Sequence, residues 1–374
     1  MKIGYLHLGQ PEHGLHRYGC LLAAEAKRSE NLSVLEAQAQ LGTNWLNNLK
    51  TLWQTARALT DADIVHIQYN QAIWGNNFSV INLIIFMVGC QAPLAVTLHD
   101  VYWQQHPFKL RNIATFLKAM YGFKASALRL LIDRASLLFV CTKEEKKRLL
   151  SIDSIRKKVD KKILIIPHFV EARSLLIDRH QARTLLNIKE DVVVTLLGWI
   201  HRRKGHEILV EAMANLPENV RVIFAGKCSP GSEAFLESLF ALAKSLGVAD
   251  RLQVTGYLTE DNLNLYLAAT DIAVCPFKTC SASGSLSTWI SAQNPNIIAY
   301  DLPQIEEYNH LVPESINTFD LYTGEALSKA IFELISRQQV SIDRVSELKE
   351  KLSLNSAFNN HKDQFNELLR GRLK

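Results

Sequence analysis

Apolar runs of strand length alternate with helical patterns along this chain. In the first half, such runs occur in five places: Lys2–Leu8, Asp63–Ile67, Leu94–Leu98, Leu137–Cys141 and Ile163–Ile166. Helical spacing of apolar residues follows the first run, over His16–Ser29. Strands separated by helices predict right-handed crossovers and a parallel sheet.

The same alternation restarts in the second half. The predicted strands there are Val192–Leu197, Val220–Ala225, Leu252–Thr255, Ile272–Cys275 and Asn296–Tyr300. Helical patterns lie between them, at residues 205–216, 233–246, 262–269 and 285–292. Two rounds of this pattern predict two doubly wound α/β domains, over residues 1–172 and 187–350. Residues 351–374 read as a C-terminal helix that is free to pack back on the first domain.

Composition places the chain among ordinary globular proteins, with 48% hydrophobic and 21% charged residues. Six scattered cysteines form no C-x-x-C pair, which argues against a disulfide framework or a zinc site and favours the cytoplasm. The longest apolar stretch, Val80–Cys90, is too short to span a bilayer and is expected to be a buried helix. The N-terminus reads as a first strand and not as a signal peptide.

Positive charge is concentrated in the first half. Residues 1–180 hold 23 Lys and Arg against 14 Asp and Glu, whereas the remainder holds 19 against 23. The stretch Val101–Ile132 contains no acidic residue but interleaves five cations with apolar residues. Such a stretch is either a helix pair with a solvated lysine face or a segment that meets an anionic membrane. We take the second as a hypothesis, with the protein peripheral on the inner face of the membrane.

Candidate binding residues of the first half follow its predicted strands. Ligands of doubly wound sheets bind outside the carboxyl ends of strands. A turn that contains Gly14, His16 and Arg17 follows the first strand and suits an anion or a sugar hydroxyl, although a plain strand–helix turn explains it equally well. Tyr69 follows the Asp63–Ile67 run, and His99 follows Leu98 directly.

One acidic pair has the spacing of a metal motif. Asp61-Ala62-Asp63 spells the D-x-D of metal-dependent sugar transferases, but it precedes a predicted strand and so belongs to the wrong edge of the sheet. We expect a helix-to-strand turn there, and neither a metal ion nor any other cofactor.

The strongest chemical signal follows the first strand of the second half. His201, Arg202, Arg203 and Lys204 occupy one short loop between glycines, directly before a predicted helix. A diphosphate leaving group needs such fixed cations, because its negative charge grows as the sugar–phosphate bond breaks. Arginine grips phosphate oxygens as a fork, and lysine acts as a point charge.

A second loop of small residues complements this cationic loop. Ser283, Gly284, Ser285 and Leu286 lie between the strand Ile272–Cys275 and a predicted helix. Free backbone N–H groups at Gly284, Ser285 and Leu286 would face an anion at the positive end of that helix. Together, the two loops describe a diphosphate that is held from two sides.

These motifs resemble the retaining glycosyltransferases of family 4, the bacterial cell-surface polysaccharide type. The family pattern G-x-x-x-x-x-K-G with a following E-A stands here as Gly198, Lys204-Gly205 and Glu211-Ala212. Further family-like segments are residues 224–226, 254–258, 266–272, 14–18, 63–69 and 97–100. The resemblance reaches residue 305 and implies the α/β GT-B fold, in which two Rossmann-like domains face each other across a cleft.

The resemblance also implies roles for individual residues. Lys204 would bind the donor diphosphate, and Gly284 with its neighbours would hold the phosphates through the backbone. Tyr257 and Leu258 would line the base pocket, and His99 would contact the transferred sugar. The turn around Gly14 would close over donor phosphate or acceptor.

Two departures from the family pattern affect the donor site. The family usually has an arginine at the position of Trp199 or His201, so Arg202 or Arg203 must substitute. It also usually has two glutamates where this chain has Ser281 and Trp289. These changes affect recognition of the sugar and the ribose.

We therefore predict a retaining, metal-independent glycosyltransferase of polysaccharide biosynthesis. Its donor would be a nucleotide sugar, such as UDP-glucose, and its acceptor a glycan or a lipid-linked sugar bound near Gly14, His16, Arg17 and Tyr69. His99, Lys204 and Arg203 are the predicted catalytic residues. The alternatives are a non-catalytic GT-B scaffold that binds nucleotide sugar or glycan and a nucleotide-sugar epimerase; nucleic acid is not an expected partner.

Overall fold

The computed structural model describes residues 1–11, 13–99, 101, 123–151, 160–278, 283–336 and 342–372. The chain divides into two compact units. Unit 1 comprises Met1–His168 with Leu354–Lys374, and unit 2 comprises Phe169–Ser353. Most of the basic stretch Val101–Ile132, on which the predicted membrane segment rests, lies outside the described residues.

Unit 1 is built on a six-stranded parallel sheet in the order β2-β1-β3-β4-β5-β6. Its strands are β1 (Lys2–Leu8), β2 (Ser33–Ala39), β3 (Ile64–Tyr69), β4 (Leu94–Leu98), β5 (Leu137–Val140) and β6 (Ile163–Ile165). Its first helices are α1 (Gly14–Arg28), α2 (Trp45–Ala58), α3 (Ser79–Gly89), α4 (Phe123–Arg134) and α5 (Lys143–Leu150). Every residue of β3 and β4 is buried, as expected of strands with helices on both faces.

Unit 2 repeats the plan with the order β12-β11-β10-β7-β8-β9. Its strands are β7 (Val192–Leu197), β8 (Val220–Ala225), β9 (Leu252–Val254), β10 (Ile272–Cys275), β11 (Ile297–Tyr300) and β12 (Asn317–Phe319). Its helices are α6 (Arg179–Leu185), α7 (His206–Met213), α8 (Glu233–Ser245), α9 (Glu260–Ala269), α10 (Gly284–Ser291), α11 (Pro303–Leu311), α12 (Gly324–Ser336) and α13 (Ile342–Lys351). The prediction of two doubly wound α/β domains is confirmed.

The last helix of the chain, α14 (Leu354–Arg372), belongs to unit 1. It contacts α1 and inserts His361 and Phe365 into the core beside β3 and β5. The His361 ring lies 4.5 Å from that of Phe139 and 5.0 Å from that of His66. Unit 1 is therefore completed by a segment that follows the whole of unit 2 in the sequence.

The predicted end of β3 was wrong, and the difference changes the environment of two residues near the site. Strand β3 continues two residues beyond Ile67, so Gln68 and Tyr69 lie within the sheet and not in a loop after it. Gln68 and Tyr69 pair with Thr97 and Leu98 of β4. Among the described helices, none has both the length and the hydropathy that a bilayer span requires.

Candidate functional site

The two loops predicted to hold a diphosphate meet at a reversal of strand order. The chain moves outward from β7 to β8 and β9 and then returns to place β10 on the other side of β7. Crevices at such reversals are where open α/β sheets bind ligands. The lysine loop (residues 198–205) follows β7, and the serine loop (residues 283–286) follows β10. Here the Nζ atom of Lys204 donates a hydrogen bond to the Oγ atom of Ser285 over 2.7 Å.

The lysine loop is held in shape by a side-chain cap at the start of its turn and by a close approach to Pro276 at its end. Nδ1 of His201 accepts the N–H of Arg203 over 3.3 Å at the start of a single 3-10 turn, Arg202–Lys204. The turn ends at Gly205, whose φ is 81°. A Cβ atom on Gly205 would lie only 2.1 Å from the carbonyl oxygen of Pro276, directly after β10. The close approach of the two strand ends therefore requires glycine at this position.

The two candidate arginines have different surroundings. The Arg202 guanidinium pairs with the Glu207 carboxylate at 3.1 Å and lies 4.9 Å from the centre of the Phe235 ring. The Arg203 side chain is exposed and makes no ion pair within the described residues. Arg203 is thus the arginine that can turn toward an anion without losing a carboxylate partner.

Burial keeps the histidine behind the lysine loop neutral. His206 is fully buried, and its ring lies 4.7 Å from that of Phe224. Desolvation, followed by the nearby charges of Lys204 and His201, lowers the pKa of His206 to about 3. Neither ring nitrogen has a hydrogen-bond partner among the described residues. His206 therefore acts as packing beneath the cationic loop.

The serine loop corrects one expectation about free donors. Ser283 is the N-cap of α10, and its Oγ accepts the N–H of Leu286 over 3.3 Å. The Leu286 N–H is thus engaged, whereas the N–H groups of Gly284 and Ser285 have no acceptor among the residues that the structure describes. Oγ of Ser283 also lies 3.2 Å from Oγ of Ser285. Lys204, Ser285 and Ser283 are therefore linked in one series of polar contacts. Ser281 lies outside the described residues.

The residue that replaces the second family glutamate is part of the core. Trp289 is fully buried in α10, within a hydrophobic cluster that includes Leu286 and Ile290. Its Nε1 atom has no hydrogen-bond partner among the described residues. Its indole therefore contributes packing and does not present a polar group at the surface of the serine loop.

The sequence predicted Tyr257 as a donor-binding residue but did not show that Lys227 lies between its ring and that of Trp199 in the lysine loop. The Lys227 ammonium lies 4.6 Å from the centre of the Trp199 ring and 5.5 Å from that of Tyr257. Trp199 is 46% exposed and Tyr257 is 74% exposed, whereas Leu258 packs against a hydrophobic cluster. Trp199, Lys227 and Tyr257 follow β7, β8 and β9, respectively. The sequence offered one sign of this group, because Trp199 is an aromatic residue directly after Gly198 at the end of a predicted strand.

His99 of unit 1 is fixed within the protein. It directly follows β4 and is 6% exposed, and its Nε2 atom lies 2.7 Å from Oε1 of Gln68. Since this amide oxygen only accepts, Nε2 of His99 carries the proton. Burial, followed by the neighbouring His168 and His361, lowers the pKa of His99 well below its usual range. His99 is therefore a neutral, oriented imidazole.

Two predicted acceptor residues are packed inside unit 1. The His16 ring lies 5.6 Å from the His7 ring, and its Nδ1 is 3.5 Å from Sγ of Cys20. Tyr69 is 3% exposed in the core, where burial raises its pKa to about 12. Because these side chains face inward, the structure does not place them at an accessible surface. Gly14 and Arg17 are exposed on the first turns of α1.

The D-x-D segment has a structural partner. It lies between α2 and β3, and the Asp63 carboxylate accepts the backbone N–H of Lys2 over 2.6 Å. Within the described residues, no three His, Cys, Asp or Glu side chains gather in a way that could hold a metal ion.

Comparison with known proteins shows what the segment with both loops is similar to. Residues 178–291, which contain both loops, match the family described as glycosyl transferases group 1. The chain is 34% identical over 149 residues, 39% of its length, to D-inositol 3-phosphate glycosyltransferase from Mycobacterium ulcerans. It spans 31% of that relative's length. The segment that carries both loops is therefore similar to group 1 glycosyl transferases, which agrees with the predicted class of enzyme.

Solved structures match over nearly the whole chain. The complex of Anabaena Alr3699/HepE with UDP and glucose superposes with a TM-score of 0.70 at 16% identity, covering 98% of this chain and 99% of that one. Sucrose-phosphate synthase from Thermosynechococcus elongatus gives a TM-score of 0.70 at 17% identity, covering 99% and 100%. These likenesses confirm the predicted GT-B fold.

Proposed function

We propose that this protein is a retaining, metal-independent glycosyltransferase that moves a sugar from a UDP-sugar, such as UDP-glucose, to a glycan or lipid-linked acceptor. The observation that carries the proposal is the Lys204–Ser285 contact at the strand-order reversal of unit 2. It lies inside the segment that matches group 1 glycosyl transferases. We place the reaction in the cytoplasm and in polysaccharide biosynthesis.

The proposed chemistry rests on charge that develops on the leaving diphosphate. The Lys204 ammonium would exchange the Ser285 hydroxyl for a phosphate oxygen, and Arg203 would add a guanidinium fork. The N–H groups of Gly284 and Ser285 would face the same anion at the positive end of α10. Since these groups are already positioned by the two strand ends, they stabilise the departing charge without a large rearrangement.

Support for the donor comes from two sources. The structural neighbour Alr3699/HepE was solved with UDP and with UDP-glucose. The exposed rings of Trp199 and Tyr257 offer flat surfaces for a nucleobase beside the lysine loop. In unit 1, His99, a neutral imidazole held by Gln68, would bind a hydroxyl group of the transferred sugar through the 6% of its surface that is exposed.

The proposal is tested by calorimetric titration of the full chain with UDP, GDP and ADP in the presence of EDTA. We expect UDP to bind, and Lys204→Ala to weaken binding by roughly tenfold to a hundredfold, as for loss of a charged hydrogen bond. Lys244→Ala, at the exposed end of α8, is the matched control. A second titration without EDTA completes the test. UDP binding that occurs only without EDTA, or that survives Lys204→Ala unchanged, would overturn the proposed site. UDP binding without transfer or hydrolysis of UDP-glucose would favour the non-catalytic scaffold.

A further inference from the structure

Two neighbouring helices of unit 1 carry an exposed apolar surface that the proposed chemistry does not use. The side chains that form it are 40% to 61% exposed. We call this surface the α2–α3 face; it consists of Trp45, Leu46, Trp53, Ile81, Ile84 and Val88. Contiguous apolar surface of this kind marks sites of interaction with a protein or a membrane.

The spacing of these residues shows that both helices are apolar on their outer side. On α3, Ile81, Ile84 and Val88 are three and four residues apart and form one stripe, while Leu83 and Phe86 are fully buried on the other side. No residue of α3 is charged. A helix that only covers a core would present polar residues to water at these positions.

The outer stripe of α2 mixes apolar and cationic side chains. Leu46, Lys50, Trp53 and Arg57 follow each other at intervals of four, three and four residues, and all four are exposed. Leu52 is fully buried on the core side. Long cationic side chains and tryptophans combine an apolar body with a polar end, which suits the boundary between acyl chains and water.

Close packing of the helices joins the two stripes. A Cβ atom on Gly89 would lie 2.8 Å from Cβ of Ala56 and 3.2 Å from the Trp53 ring. The α3 stripe therefore passes directly beside Trp53 at its Val88 end. A cavity of about 320 Å³ opens at the same end, lined by Ile84 and Val88 together with Leu130 and Arg134. It combines apolar walls with a guanidinium group.

The charges around the face favour an anionic occupant. No acidic residue occurs in residues 37–60 or 64–99, which include both helices. Asp61 and Asp63 follow α2, and the Asp63 carboxylate is engaged by the Lys2 N–H. We propose that the α2–α3 face docks this protein on the surface of an anionic lipid bilayer. The proposal is independent of the donor site, because none of its residues belongs to unit 2.

The test is co-sedimentation of the full chain with vesicles at low ionic strength. Vesicles of phosphatidylcholine with phosphatidylglycerol should bind the protein, and phosphatidylcholine alone should bind it less. Ile84→Glu combined with Val88→Glu should weaken binding by about tenfold or more, since two apolar side chains that would enter the bilayer are replaced by charged ones. Lys50→Glu should weaken binding to the anionic vesicles only. Phe240→Glu, at a residue of α8 that is 42% exposed, is the matched control.

Two outcomes would overturn the bilayer proposal. The first is that the unaltered chain fails to sediment with the anionic vesicles, or that the double variant sediments equally well. The second is a dimer that the double variant dissociates, without vesicle binding, which would assign the face to a second copy of this chain. UDP titration of the double variant separates this test from that of the donor site, because its UDP affinity should be unchanged.

Discussion

The lysine loop depends on one residue without a side chain. Gly205 combines a left-handed φ with a position where a Cβ atom would meet the Pro276 carbonyl oxygen at 2.1 Å. The obstacle is backbone at the end of β10, so a small side-chain movement cannot relieve it. Any other residue would separate the ends of β7 and β10, and with them Lys204 and Ser285.

We expect Gly205→Ala to lower the free energy of unfolding of unit 2 by about 2 kcal/mol or more, from backbone strain and the clash with Pro276. Urea denaturation followed by circular dichroism measures this. Gly284→Ala is the matched control, because a Cβ atom there meets nothing within 4 Å and alanine favours a helix. Equal midpoints for the two variants would contradict the strain argument.

Trp199 gives a second prediction for a single residue. If its ring stacks on the donor nucleobase, Trp199→Ala should weaken UDP binding by about tenfold, within the range measured for base stacking. Calorimetry would record the change, with Phe240→Ala in α8 as a control for the loss of an exposed ring. An unchanged UDP affinity would show that the base binds elsewhere.

At the scale of elements, the sequence predicted the centres of both sheets. The bounds of β1, β4, β7, β8 and β10 agree with their predicted ranges, because these strands are continuous apolar runs covered on both faces. Strands β2 and β12 were missed. Both lie at an edge of a sheet, and one face of β2 is largely exposed, so hydrophobicity alone does not distinguish them.

The sequence predicted where the site residues lie along the chain. It did not predict which of their side chains point inward and which point to the surface. The lysine and serine loops could be located because each follows a recognisable strand. His16 and Tyr69 also lie near strand ends, yet the fold turns their side chains inward. The contact of Lys227 with Trp199 depends on the neighbouring positions of β7 and β8, which no local pattern specifies.

The N-cap of α10 allows its structural and binding roles to be separated. Aspartate caps helices as well as serine does, so Ser283→Asp should change the unfolding free energy by less than about 0.5 kcal/mol. Its negative charge beside Ser285 should nevertheless repel a diphosphate and weaken UDP binding by about tenfold.

The matched control for this variant is Asn44→Asp. Asn44 caps α2 in unit 1, where its side chain accepts the N–H groups of Leu46 and Asn47. This control variant should retain both stability and UDP affinity. If Ser283→Asp also retained full UDP affinity in calorimetry, the start of α10 would not face the diphosphate.

For the molecule as a whole, unit 1 depends on histidines that stay neutral. Burial lowers the pKa of His7, His66 and His99, and it lowers that of His361 to about 4. In the unfolded chain these imidazoles take up protons near pH 6.5, whereas in the folded unit they remain unprotonated at that pH. Acid therefore favours the unfolded state, and stability is lost as pH falls below that value.

We expect the unfolding free energy to fall by up to about 1.4 kcal/mol per pH unit for each such histidine, between about pH 6.5 and the pKa in the fold. His361→Phe should reduce this slope, because a phenyl ring beside Phe139 and Phe365 takes up no proton. His310→Phe, at an exposed position of α11, should keep the original slope. Urea midpoints measured at several pH values would give the slopes, and parallel profiles for all three proteins would contradict the argument.

The return of α14 to unit 1 has a consequence for the order of synthesis. Phe365 and His361 complete the packing around Phe139 and His66, yet they leave the ribosome after every residue of unit 2. Unit 2 is a continuous segment and can close as soon as it emerges. Unit 1 begins to emerge first but is completed only after unit 2, so its histidine-lined interior lacks α14 until that helix has left the ribosome.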